Sequence, residues 1–241
     1  MTDADTAPSS APAGAVARII VGEALRVLPG LGKFALIVTD PPYSLGANRR
    51  EWRSGGAAFA ALYEATRHLK PNGTMIVFCG TSGTSFDSIR SSVPLPLSRI
   101  LSWHKPHVGR PLAGPFGWQS VLILVFGKCG GATRAPDNIR AAPVHHRKGD
   151  HPAELPPAVC EWLAVGLQDR SGHVLDPFCG TAALLVPFLS SGLPVTGIEI
   201  DHGHAALAAA RLRTLGNVKV TRAPVSSRGP GELIDGQPIR L

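Results

Sequence analysis

Only four cysteines occur in the 241 residues, Cys79, Cys129, Cys160 and Cys179, and no two stand at Cys-x-x-Cys spacing. That scarcity indicates neither a disulfide framework nor a zinc knuckle. None of the four follows a proline. The chain also lacks any apolar run near the ~20 residues that a bilayer-spanning helix requires, and no signal peptide heads it. Internal repeats are absent. The pair His145-His146 has no acidic or thiol partner at ligand spacing, so no metal is expected. These absences set aside membrane-spanning, disulfide-stapled and zinc-organised proteins. They leave a reduced, cytoplasmic protein with no membrane partner as the expectation.

Positive charge, by contrast, is in excess. A net charge of +7 at pH 7 favours a polyanionic partner. A basic soluble protein without one would share that composition. The length admits one sizeable α/β domain with a well-buried core. Residues 1–14, rich in Ala, Pro, Ser and Asp without periodicity, are expected to be a disordered tail. Residues 224–241, rich in proline and glycine, are expected to be an irregular one. The domain then spans 15–223.

Within it, strand-like segments recur at Arg18–Val21, Phe34–Val38, Thr74–Phe78, Leu97–Trp103, Val121–Phe126, Val174–Leu175, Val195–Ile200 and Asn217–Val220. Helical patterns cover Ala57–Leu69, Ala158–Leu167, Ala183–Ser191 and His204–Leu215. Their alternation predicts a doubly wound, mostly parallel α/β sheet with helices on both faces. The pair Leu97–Trp103 and Val121–Phe126 suggests an antiparallel edge hairpin.

Two strand ends carry chemistry. Asp40-Pro41-Pro42-Tyr43 follows the apolar run Phe34–Val38, at the carboxyl end where open sheets bind ligands. Two prolines stiffen that turn and strip it of donors. Its carbonyls, a carboxylate and an aromatic ring then suit a flat molecule with an exocyclic amino group, such as a nucleobase. An ordinary surface turn has the same residue types. The second end is Val174-Leu-Asp176-Pro-Phe178-Cys-Gly180-Thr181-Ala-Ala183, and the next strand closes on Gly197-Ile-Glu199. Glu199 lies 23 residues beyond Asp176, near the ~20-residue interval at which dinucleotide-type folds place an acid on ribose hydroxyls. The loop lacks triple-glycine spacing and Gly-Lys-Ser/Thr, so adenosine bearing an amino acid fits better than a dinucleotide.

Asp40-Pro-Pro-Tyr43 with Asp176-Pro-Phe-Cys-Gly180-Thr181 and Gly197-Ile-Glu199 resembles the S-adenosylmethionine-dependent DNA amino-methyltransferases. The catalytic tetrapeptide precedes the cofactor loop by 136 residues, an order that resembles the permuted, class beta branch. Other landmarks are Ile19–Glu23, Leu69–Thr74, Trp103–Pro106, Ile123–Lys128 and His151-Pro152, so the resemblance runs from about Arg18 to Arg213. It implies a Rossmann-like fold, S-adenosylmethionine as cofactor without a metal, and double-stranded DNA as partner. The protein would be cytoplasmic and nucleoid-associated, as in restriction-modification.

The resemblance also implies roles. Asp40 and the Pro41 carbonyl accept the amino protons of the target base, Pro42 stiffens the turn, and Tyr43 stacks on a base flipped from the duplex. Asp176, Phe178, Gly180 and Thr181 surround the methionine moiety, Glu199 takes the ribose hydroxyls, and Glu23 lies near the adenine amino group. Glu23 reads equally as an acid favoured at a helix start, Phe178 as a core aromatic, and Asp201 as a helix cap. Attack on a cytosine carbon needs a thiolate, usually on a Pro-Cys turn, and none is present. The first motif position is more often Asp in adenine-N6 enzymes and Ser in N4-cytosine enzymes, so adenine leads and N4-cytosine is the runner-up. A non-catalytic DNA-binding relative is the rival of another class.

Basic loop residues Arg49, Arg50, Arg53, Lys105, Arg110, Arg147 and Lys148, with His104, His107, Arg134 and Arg140, are candidates for phosphate contact. Trp52 and Trp118 are candidates to stack or wedge at a flipped base. The insert that would recognise the target, about 129–150, is 22 residues long. So short an insert predicts a short target or relaxed specificity, unless a homodimer or partner adds contacts. Two departures from the resembled pattern stand out. Ala182 occupies the place of a second glycine, where its methyl is expected to narrow the methionine channel. Leu155 occupies the place of a lysine, which is expected to lower cofactor affinity.

Overall fold

The computed structural model describes residues 15–42, 55–106, 117, 119–128, 135–144, 154–167 and 172–223. Apolar runs make its centre. Leu36, Ile37 and Val38 are buried in succession, as are Met75 to Cys79. Such continuous runs belong to strands covered on both faces.

Among the described residues nine strands form one sheet: β1 (Val16–Val21), β2 (Phe34–Thr39), β3 (Leu69–Cys79), β4 (Leu97–His104), β5 (Ser120–Gly127), β6 (Asn138–Arg140), β7 (Val174–Asp176), β8 (Val195–Glu199) and β9 (Asn217–Arg222). Their order is β6-β4-β5-β3-β2-β7-β8-β1-β9. Only β5 is reversed, pairing antiparallel with both β3 and β4. The other neighbours are parallel. The helices are α1 (Ala24–Val27), α2 (Gly55–Thr66), α3 (Gly83–Ser92), α4 (Pro157–Gly166), α5 (Val186–Ser190) and α6 (His202–Arg213).

Side chains alternate across the strands and build two cores. Ile20, Ile37, Met75 and Val77 meet Ala24, Ala61, Leu62 and Ile89 of α1, α2 and α3. Ile19, Leu36, Val38, Ile76 and Phe78 meet Val159, Leu163, Phe188 and Leu212 of α4, α5 and α6 on the opposite face. The doubly wound sheet read from the sequence is therefore the observed one. None of the described helices is long and apolar enough to cross a membrane.

All eight expected strands are present. The helix expected to reach Leu69 stops at Thr66, because Leu69 already pairs with Phe34 in β3. Asn72 adopts φ 62° just before the register shifts into step at Thr74, a left-handed turn that asparagine tolerates. The helix expected from Ala183 begins only at Val186, after a turn in which the Leu185 and Val186 N–H groups both donate to the Ala182 carbonyl.

Helices α1 and α3 and strand β6 were not foreseen; α1 is a single turn, Ala24–Val27, too short to show a periodicity. Helix α3 hides in a polar Ser-rich segment. Ser82 caps it by accepting from the Ser85 N–H at 3.2 Å, and Phe86, Ile89 and Val93 supply its apolar stripe. Strand β6 has only three residues. Two indoles pin it: Trp103 Nε1 donates to the Ala141 carbonyl at 2.9 Å and Trp162 Nε1 to the Pro136 carbonyl at 3.1 Å. Thus β6, inside the 129–150 insert, extends the sheet beyond β4. The tails 1–14 and 224–241 lie outside the described residues, as do 129–134 and 145–150 of the insert.

Candidate cofactor and base site

Strands β2 and β7 lie side by side in parallel, Leu36 opposite Val174 and Ile37 opposite Leu175. From β2 the chain turns outward through α2 to β3. From β7 it turns the other way, through α5 on the opposite face, to β8. The β2–β7 junction is thus a topological switch point, where open sheets form a crevice beyond the strand ends. Asp40, Pro41 and Pro42 leave β2 there, and Asp176 closes β7. Asp176 is opposite Gly197 in β8, and Glu199 is opposite Val21 in β1. The candidate residues therefore follow one another along a single sheet edge. Four strands at ~4.8 Å spacing span roughly 14 Å.

The two tips are bonded. Thr39 Oγ1 donates to Asp176 Oδ1 at 2.8 Å across the junction, and the Phe178 N–H donates to the same oxygen at 3.0 Å. Asp176 is only 2% exposed. Burial raises its carboxyl to about 7, the two hydrogen bonds oppose that rise, and Asp40 and Glu199 add to it. Asp176 therefore acts on the turn from within rather than facing solvent.

The loop after β7 is fastened to β8. Cys179 N–H donates to the Ile198 carbonyl at 2.9 Å, and Gly180 N–H to Glu199 Oε2 at 2.8 Å. The Asp201 N–H donates to Glu199 Oε1, also at 2.8 Å. Each Glu199 oxygen so used still has a lone pair for a ligand hydroxyl. Gly197 permits this closeness: a Cβ there would stand 2.6 Å from Cys179 Sγ. Gly180 takes φ 52° and Ala182 φ 64°, so left-handed residues flank Thr181.

Ala182 is 0% exposed and belongs to the core beneath α4–α6. Its methyl lines no open channel, contrary to the expected narrowing. Replacing it by glycine relieves a left-handed cost of ~1–2 kcal/mol. The change forfeits ~0.8 for the buried methyl and ~0.4–1 in unfolded-chain entropy. These terms nearly cancel, so Ala182→Gly is expected to leave the denaturation midpoint almost unchanged. Ala182→Val adds β-branching at positive φ and overpacks a full site. It is expected to lower stability by at least about 2 kcal/mol in urea titration.

The cysteines here are thiols. Burial, then Asp40, pushes Cys79 up to about 11. Burial, then Asp176 and Glu199, pushes Cys179 well above its usual value. Neither is poised as a thiolate nucleophile.

Other expected residues are placed as follows. Glu23 precedes α1 without capping it through its side chain and pairs with Arg26 at 2.9 Å. Phe178 is partly buried against the α1–α3 core. Asp201 caps α6, accepting from the His204 N–H at 2.8 Å. Leu155, 7% exposed, packs in the α4–α6 core. Lys105 follows β4, its ammonium 5.1 Å from the Trp103 ring centre. Tyr43, Arg49, Arg50, Trp52, Arg53, His107, Arg110, Trp118, Arg134, His145, His146, Arg147, Lys148, His151 and Pro152 lie outside the described residues. Sequence reading missed Thr39, Glu154 and Arg211. Thr39, directly before the Asp-Pro-Pro turn, was visible as a polar residue ending an apolar run.

The fold, an open sheet with one reversed strand among the described residues, is similar to that of solved methyltransferase structures. The M1.HpyAVI–SAM complex matches with a TM-score of 0.62 at 19% identity, over 81% of this chain and 98% of that one. The cytosine-N4-specific PvuII DNA methyltransferase matches with 0.63 at 15% identity, over 89% and 98%. In sequence, the chain is similar to the DNA adenine methyltransferase YhdJ of Escherichia coli (strain K12), 24% identical over 263 aligned residues covering 89% of each chain. No protein-family profile matches.

Proposed function

We propose that this chain is an S-adenosylmethionine-dependent DNA methyltransferase of the permuted class, acting on the exocyclic N6 amino group of adenine. The observation that carries this reading is the switch point. The Asp-Pro-Pro turn and the glycine loop leave adjacent parallel strands, β2 and β7, at the same end, and the Thr39–Asp176 bond links the two strand ends. Similarity to named DNA methyltransferases along nearly the whole chain supports it.

The donor set fits the cofactor. Glu199 offers lone pairs to ribose hydroxyls from a carboxylate held by two backbone N–H groups. Gly180 and Thr181 shape the loop for the methionine end, Asp176 and Phe178 support it from below, and Glu23 stands beside β1 for the adenine end. When bound, S-adenosylmethionine supplies an electrophilic sulfonium methyl. Asp40 and the Pro41 carbonyl accept the amino protons of the target base and localise the nitrogen lone pair. Pro42 keeps the turn rigid and Tyr43 stacks on the flipped base. Positioning and preorganised charge then do most of the catalytic work.

N4-cytosine is the second reading. It is favoured by the likeness to the PvuII enzyme, and Asp40 meets the same amino-ring edge in both bases. Aspartate rather than serine at position 40 puts adenine first.

DNA would lie along the carboxyl edge of the sheet, in the cytoplasm at the nucleoid. Strand β4 runs parallel to β2, so Lys105 emerges on the same side as Asp40, and the β6 register sets exposed Arg140 opposite exposed His104. Arg49, Arg50, Arg53, Arg110, Arg147 and Lys148 serve the same phosphates in this reading, and a homodimer would extend that surface. Lys105→Glu is expected to weaken binding to all sequences alike. The slope of log K against log salt should become shallower by about one for each phosphate that is no longer neutralised.

The test is to incubate the protein with methyl-labelled cofactor and unmodified plasmid DNA, digest to nucleosides and weigh the product. N6-methyladenine supports the proposal. N4-methylcytosine would transfer it to the runner-up. Binding of cofactor and DNA without any methylated nucleoside would leave only a non-catalytic relative.

A further inference from the structure

We propose that Arg211 is a positioning residue for the cofactor loop, holding Thr181 together with Glu154 in the conformation that receives the cofactor. This rests on reading residues 177–183 as that loop. Three side chains from three separate elements close a ring. Arg211 Nη2, in the last turn of α6, donates to Glu154 Oε1 at 2.8 Å. Arg211 Nη1 donates to Thr181 Oγ1 at 3.2 Å. Thr181 Oγ1 in turn donates to Glu154 Oε2 at 2.9 Å.

Thr181 sits between Gly180 and Ala182, both at positive φ. Glycine adopts that geometry freely, whereas Ala182 stays in it only where its surroundings hold it. Glu199 holds the main chain on one side, through the Gly180 N–H. The ring holds the side chain on the other, and Thr181 is itself 5% exposed. Helix α6 links the two grips. Its first end follows Asp201, whose N–H is bonded to Glu199, and its last turn carries Arg211. Side chains lean toward the start of their helix, so Arg211 reaches back toward the loop. Without the guanidinium, the Glu154 carboxylate loses its cation and Thr181 loses a donor. The loop is then free to rock about its two left-handed residues.

Cofactor affinity is measured by titration calorimetry, with kcat at saturating cofactor and the melting temperature followed in parallel. Arg211→Ala is expected to raise the cofactor Kd about tenfold while kcat changes by less than about threefold. Arg211→Lys, which keeps one cation and loses the fork, is expected to fall between wild type and alanine. In a Glu154→Gln background, Arg211→Ala is expected to add little, because the two act as one unit. A lowered melting temperature with Kd within about twofold of wild type in both Arg211 variants would assign a purely structural role and overturn the proposal. Additive losses in the double variant would overturn it too. Should Arg211→Ala fail to fold, Arg211→Lys decides alone: a Kd raised about threefold supports the proposal, an unchanged Kd overturns it. A wild-type protein that binds no cofactor overturns the reading of the loop and this proposal together.

Discussion

Asp40→Ala is expected to cut methyl transfer to DNA by roughly 100- to 1,000-fold, the loss typical of removing one preorganised group aimed at developing charge. Cofactor affinity should stay within a factor of about three, because the loop proposed to receive it is held by Glu199, Glu154 and Arg211, none of them in the Asp40 turn. DNA retention should also persist, since basic side chains supply most of that affinity. The asymmetry follows from the position of Asp40. It precedes Pro41, which confines its backbone to extended geometry, and it leaves the end of β2, whose side chains are buried on both faces. Asp40→Asn keeps an acceptor oxygen and loses the charge, so its rate should lie between the two. Single-turnover transfer with pre-bound cofactor is the measurement. Full transfer by Asp40→Ala would refute the catalytic assignment.

The second large effect concerns stability against pH. Burial raises the Asp176 carboxyl from 3.8 to about 7. Below 3.8 both folded and unfolded chains hold this proton, and the stability it favours is fully present. Between about 4 and 7 the folded chain keeps a proton that the unfolded chain has released, so stability falls as pH rises. Above 7 both are ionised and the full penalty remains. Each pKa unit corresponds to about 1.4 kcal/mol, so the loss is on the order of a few kcal/mol. His173 works in the opposite sense. Burial lowers its pKa, which costs stability as pH falls, so the wild-type curve mixes the two. Comparison with Asp176→Asn isolates the carboxyl, because an amide oxygen still accepts from Thr39 and Phe178. The difference between variant and wild type, read from urea midpoints, should grow in favour of asparagine from pH 5 to pH 8. A difference independent of pH would show that Asp176 is ionised throughout.

Much of this arrangement was legible in the residues. The runs at Phe34–Val38 and Val174–Leu175 are apolar without alternation, so they declared buried parallel strands, and the motifs at their ends fell on the ligand edge. What the residues did not carry is adjacency. Nothing local says that β2 pairs with β7 across the intervening chain; that pairing arises because both must bury two apolar faces. For the same reason Thr39 showed only as the end of a run, and nothing in the sequence singled out Glu154 or Arg211. Helix α3 was hidden because Gly83, Thr84 and Ser85 favour turns, while its cap and the Phe86–Ile89–Val93 stripe decide its conformation. Strand β6 is too short for any periodicity and exists because Trp103 and Trp162 hold its flanks. Ala182 shows the converse. Its departure from glycine was visible, but the direction of its methyl was not.

Whether the two strand tips serve one reaction is decided by a crystal structure of the protein with bound S-adenosylmethionine. The ribose is expected on Glu199, the methionine end over Gly180 and Thr181, and the sulfonium methyl turned toward the Asp40–Pro42 turn. A cofactor bound elsewhere, or with its methyl turned away from Asp40 across the sheet edge, would contradict this arrangement.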